Sequence, residues 1–204
     1  MQDGTTRIGG IEIPSTDPIF LTIVFVHVLI GMAAVVSGAI AMLSIKRAGR
    51  HPTAGTFYFW CLAALASTAT VLAIVRWAED YHLFILGALA FLSAYVGRRA
   101  RRGRWRAWAR YHVLGMGLSY VFMLTAFYVD NGRNLPLWNR LPTIAHWVLP
   151  AVVGIPIILH ALWRHPVVRG NWNEVTQWPY CLPTKCAEHR HTRSPRRRTT
   201  CASR

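Results

Sequence analysis

Five stretches of this chain contain no Asp, Glu, Lys or Arg: Pro18–Ile45, His51–Val75, Tyr81–Gly97, Tyr111–Val129 and Leu141–Trp163. A bilayer core about 30 Å thick needs roughly 20 apolar residues rising 1.5 Å each. Inside it, every backbone N–H and C=O must be satisfied within a helix or a closed barrel. Period-two alternation is absent along the chain, which favours helices. The third stretch is the shortest at 17 residues, and Arg98 and Arg99 lengthen it if their guanidinium groups snorkel to the headgroups. The expected fold is therefore all-α, an integral membrane bundle of five transmembrane helices over 18–45, 53–75, 81–97, 111–129 and 141–163. Residues 1–17 form an acidic extracytoplasmic segment. The apolar run after them far exceeds the 7–15 residues of a signal-peptide core, so it reads as the first span.

Charge sets the orientation. Lys and Arg number 23 against 8 Asp and Glu, a formal net charge of +15 in 204 residues. Such a surplus can mark nucleic-acid binding, but its placement argues for topology. Lys46, Arg47 and Arg50, the seven arginines of 98–110, and nine residues after Trp163 put 19 of the 23 on one side of the bundle. The positive-inside rule makes that side cytoplasmic, with the N-terminus outside and the C-terminus inside. The partners expected are the lipid bilayer, anionic headgroups included, together with other membrane subunits or further copies of the chain. Nucleic acid is not among them. Hydrophobic residues at 53% and charged residues at 15% exclude a disordered chain and weigh against a soluble domain. Aromatic residues follow the same frame, with Trp77, Tyr81, Tyr128, Trp138 and Trp147 toward the outer interface. Phe57, Tyr58, Trp60, Trp105, Trp108, Tyr111 and Trp163 lie toward the inner one.

Residues 169–204 have a different character. They lack apolar periodicity, end in an arginine-rich run, and are expected to form a disordered cytoplasmic tail. Cys181, Cys186, His189, His191 and Cys201 lie there in a spacing that matches no zinc module, so no metal site is expected.

Small residues let membrane helices approach closely. Gly31, Ala34, Gly38 and Ala41 share one face of the first span. Ala63, Ala66, Ser67 and Thr70 do so on the second, and Gly115, Gly117 and Ser119 on the fourth. Pro150 and Pro156 should bend the fifth and free backbone carbonyls, making it the helix best suited to line a site. Asp130-Asn131-Gly132 has the chemistry of an ordered turn, with Gly132 able to adopt positive φ.

Histidine is the one chemical signal within the spans. His27 lies nine residues into the first, about 14 Å deep by helix rise. His146 and His160 are 14 residues apart on the fifth, about 40° short of four turns and roughly 21 Å apart along the axis. Membrane b-type cytochromes use one helix in this way to ligate two stacked haems, imidazole being a common axial ligand. The candidate haem ligands are thus His27, His146, His112, His160 and His51, with His27 opposite His146 at an outer site and His112 or His51 at an inner one. The competing account is that these histidines make interhelical hydrogen bonds or sit at interfaces.

The chain resembles an uncharacterised family of bacterial multi-pass membrane proteins, grouped as domain of unknown function 2306. The resemblance spans roughly residues 18–168. It rests on His27 with Gly31 and Gly38, on Arg50-His51 with Gly55 and Tyr58, and on His112-Val113-Leu114-Gly115. The run Thr125-Ala126-Phe127-Tyr128-Val129-Asp130-Asn131-Gly132, followed by Leu135-Pro136-Leu137-Trp138, is its most distinctive piece. Pro52 stands where members of that family often carry a basic residue. The resemblance implies a bacterial inner-membrane protein and supplies no activity.

Three functions remain open: electron transfer through b-type haem, passage of a small solute, or a non-catalytic membrane subunit. The spans carry no charged residue for ion coupling. No nucleophile–base or carboxylate pair is placed for hydrolysis, so a hydrolase is not expected. The one enzyme class left open is a membrane oxidoreductase.

Overall fold

The computed structural model describes residues 6–8, 11–13, 18–45, 49–136 and 138–164. Five long helices dominate it: α1 (Pro18–Leu43), α2 (Arg50–Val75), α3 (Trp77–Arg102), α4 (Trp108–Asn131) and α5 (Thr143–Arg164). Each is long and apolar enough to cross a membrane. Two three-residue strands, β1 (Thr6–Ile8) and β2 (Ile11–Ile13), pair antiparallel ahead of α1, a ribbon too short to leave a periodic signature. The cysteine- and histidine-bearing segment 169–204 lies outside the described residues.

The third helix is longer than its uncharged stretch. It gains a first turn with Glu79 and Asp80 and a last turn with Arg99, Arg101 and Arg102. Acidic residues at the N-terminus and basic ones at the C-terminus both complement the helix dipole. A single residue, Arg76, separates α2 from α3. It pairs with Glu79, and its Nη1 lies 3.9 Å from Asp80 Oδ2. At the other end of α2, Gly49 takes φ 116° before the helix begins, a conformation that side-chain-bearing residues rarely adopt.

Consecutive helices run antiparallel and pack on one another. Gly31 meets Leu65 across α1 and α2, Gly87 meets Ala69 across α2 and α3, and Gly97 meets Gly115 across α3 and α4. Gly117 meets Ile158 across α4 and α5. A core of Ala34, Tyr58, Phe59, Leu62, Ala90, Ala94 and Met123 joins α1 to α4. Within it the Tyr58 hydroxyl lies 2.9 Å from Ser119 Oγ, and the Tyr120 hydroxyl donates to the Val35 carbonyl at 3.1 Å. Thus α4 contacts α1 and α2 as well as its chain neighbours.

Three expectations need correction. Tyr58 is 2% exposed and belongs to the core, not to an interfacial belt. The second helix buries Tyr58, Phe59, Leu62 and Ala73, while Ser67 faces outward and bonds its own helix at the Ala63 carbonyl. Large ring faces here outweigh the contact that small residues would offer. Gly132 has φ −57° and lies in a 3-10 turn that prolongs α4. Glycine suits this position for a different reason, since a Cβ would fall 2.8 Å from His146 Nε2.

Candidate functional site

The basic end of the bundle brings two of the candidate histidines together. His51 opens α2 and His112 lies in the first turns of α4, two helices that run parallel. Their ring centroids are 6.3 Å apart with planes at 88°. His51 Nδ1 is 2.8 Å from the Ala41 carbonyl at the end of α1, and His112 Nδ1 is 3.1 Å from the Gly97 carbonyl near the end of α3. A carbonyl oxygen only accepts, so each Nδ1 carries its proton and donates. Four helices thus converge here, with α1 and α3 supplying the carbonyls that fix the tautomers of rings from α2 and α4.

The approach of α3 to α4 sets the second of these bonds. Gly115 lies one turn beyond His112, and a Cβ there would stand 2.8 Å from Gly97 N and Cα. Two glycines in backbone contact let the His112 ring reach the Gly97 carbonyl.

The other candidates have different surroundings. His27 Nδ1 lies 2.8 Å from Thr68 Oγ1 on α2. Thr68 Oγ1 donates within its own helix, toward the Ala64 and Leu65 carbonyls at 3.1 and 3.0 Å, so it accepts from His27. His27 is therefore tied to a hydroxyl on α2. His146, 3% exposed, donates from Nε2 to the Trp138 carbonyl at 3.2 Å and packs against Gly132. It anchors the 132–142 connection to α5. His82 stacks beside it on Trp147, with centroids 5.7 Å apart.

His160 is exposed, although idealised geometry puts it on the face of His146. The inward positions of α5 are His146, Pro150 and Ile158, with Gly154 against Val121 between them. Steps of four residues drift by about 40° each, so by Ile158 the inward face has turned about 120° from His146. His160 then lies about 160° from Ile158, on the opposite side. The outward run Val152, Val153, Ile155, Ile157 and Leu159 makes the rest of α5 a lipid-facing surface.

Among the described residues, no group of three or more His, Cys, Asp or Glu side chains is placed to hold a metal ion. The site at the basic end is a two-imidazole site. Both rings are among the candidates from sequence, where His112 or His51 is the alternative partner of His160 and His27 that of His146; the fold instead brings His51 and His112 to each other. The carbonyl partners Ala41 and Gly97 carried no residue-type signal at all. Thr68 is not in the small face read from the second span (Ala63, Ala66, Ser67 and Thr70), and its part as the partner of His27 comes from the fold. No protein-family model, curated protein or solved structure matches the chain. Five apolar helices, each long enough to cross a bilayer, fit a multi-pass membrane protein.

Proposed function

We propose that this protein is a redox subunit of a bacterial inner membrane that binds b-type haem at its basic end, where His51 and His112 would hold the group. The carrying observation is the paired imidazoles, each with Nδ1 committed to a backbone carbonyl. With centroids 6.3 Å apart, the two rings are near enough that one metal could be held between them. A donated Nδ1–H orients a ligating ring and raises its basicity, a recurrent arrangement behind metal-bound histidine.

The donor count favours haem over zinc. Structural zinc takes four protein ligands and catalytic zinc three, whereas haem iron has four positions filled by the macrocycle and asks the protein for one or two axial ligands. Bound haem supplies one-electron transfer. This chain's part is to hold the rings, fix their tautomers and surround them with apolar helix. By the positive-inside rule the basic end would face the cytoplasm, and the resemblance to the domain of unknown function 2306 family rests in part on the motifs around both histidines.

A colourless membrane subunit is the second reading. It is favoured by His27, whose bond to Thr68 is an interhelical tie with no cofactor. An absorbance spectrum of the full chain, purified in mild detergent from cells with ample haem supply, separates the two. A Soret band and a sharp α band on reduction are expected. His51→Ala and His112→Ala should each lose them, while His27→Ala should keep them. A colourless parent, or a spectrum indifferent to both inner substitutions, refutes the haem reading.

A further inference from the structure

The start of α2 carries a shallow groove of about 490 Å³, lined by Pro52, Thr53, Thr56, Phe57 and Trp60. Phe57 and Trp60 are 56% and 63% exposed, so their rings form a wall that hydrocarbon can cover. Arg98 reaches across from α3 to Thr56, one of the groove residues. Its Nη1 donates to Thr56 Oγ1 at 3.4 Å, and its Cζ lies 4.6 Å above the Phe59 ring. The cation is thereby held against α2, within reach of the groove residue Thr56.

The charge at this spot has no counterpart in the described protein. A guanidinium has five N–H donors in a planar fork matched to phosphate oxygens. Among the described residues, no carboxylate comes within ion-pair distance of Arg98, and the ion pairs there belong to Arg76 at the other end of α3. Arg101 and Arg102 add their field to that of Arg98. The N-terminus of α2, beside the groove, contributes the positive end of a helix dipole.

We propose that this groove binds an anionic phospholipid, with its phosphate on Arg98 and an acyl chain along Phe57 and Trp60. A soluble phosphate would leave the aromatic wall unused, and a zwitterionic lipid would leave the surplus arginine charge uncompensated. The ligand class that meets both requirements is a lipid with net negative charge.

The test reads Trp60 fluorescence. The full chain is reconstituted in phosphatidylcholine vesicles doped with acyl-brominated phosphatidylglycerol or acyl-brominated phosphatidylcholine, and the signal of Trp60→Phe is subtracted. Half-quenching should need about fivefold less of the anionic lipid, the gain expected for one arginine near an anionic headgroup. Arg98→Gln should abolish the preference and Arg98→Lys should keep part of it. Thr53→Phe, an exposed position that fills the groove, should weaken quenching by the anionic lipid even if Arg98→Gln disturbs the fold. Equal quenching by the two lipids, or a preference that survives both Arg98→Gln and Thr53→Phe, overturns the proposal.

Discussion

Replacing Gly115 with alanine tests the contact on which the α3–α4 pair is built. The new Cβ would stand 2.5 Å from the Ser93 carbonyl oxygen and 2.8 Å from Gly97 N and Cα. All three are backbone atoms and cannot rotate aside. Reaching ordinary van der Waals distance requires the helices to part by about 0.9 Å at this point. Overpacking of this kind costs about 1–3 kcal/mol, and rigid neighbours place it in the upper half. Alanine recovers about 1 kcal/mol over glycine by helix propensity. The net loss is about 1–2 kcal/mol, or roughly 5- to 30-fold in the ratio of folded to unfolded protein. The same shift would stretch the 3.1 Å bond from His112 to the Gly97 carbonyl beyond hydrogen-bond range. Equilibrium unfolding in mixed micelles of mild detergent and dodecyl sulfate measures the change. Gly87→Ala is the control, since its Cβ would meet only Ala69 Cβ at 4.0 Å, and it should be neutral or slightly stabilising. Equal stability of Gly115→Ala and the parent, or equal loss in both variants, would show that the close approach is not what holds these helices.

Ser119 Oγ donates to the Met116 carbonyl at 2.8 Å, so Tyr58 is the donor in the Tyr58–Ser119 bond. Ser119→Ala should therefore cost more than Tyr58→Phe, about 1–2 against about 0.6 kcal/mol, because only the first strands a buried hydroxyl; the reverse order in a micelle unfolding series contradicts the assignment. Thr68→Val and His27→Leu should each lose about 0.6–2 kcal/mol and be non-additive when combined; additive losses would mean the two residues do not bond. Gly132→Ala should push His146 off the Trp138 carbonyl and expose the 132–142 connection to protease in the detergent-solubilised protein, whereas unchanged cleavage would show that His146 does not anchor it.

The spans were legible because hydrocarbon imposes a hard requirement: a run without charge must be long, helical or both. Their ends were less so. Helix α3 continues through Glu79 and Asp80 at one end and Arg99 to Arg102 at the other, where headgroups and the helix dipole tolerate charge. The small faces of α1 and α4 read correctly, since Ala34, Gly38 and Ala41 are buried and Gly115 touches Gly97. Partnerships among the histidines were not legible. His51 and His112 are 61 positions apart and meet only because α2 and α4 run parallel past one another. The carbonyls that fix their tautomers have no side-chain identity to detect. Prolines in α5 and a steady drift of its inward face separated His146 from His160, although simple phase arithmetic aligned them. Gly132 was read as a turn glycine; its real constraint is a ring arriving from 14 residues further along the chain.

The one-residue joint between α2 and α3 has a consequence for how the chain enters its membrane. Two helices so closely joined must insert as a hairpin, dragging one end across the bilayer. The joint carries a single cation, Arg76, flanked by Glu79 and Asp80 on the next turn. Two carboxylates more than offset its charge, whereas a bare arginine in hydrocarbon costs about 2.5–3.5 kcal/mol even on the most lenient scale. The opposite end of the same hairpin leads into the arginines of 98–110 with no carboxylate in that loop. The two ends of the hairpin thus differ in charge: two carboxylates offset the single cation at the joint, while the arginines at the other end have no carboxylate in their own loop.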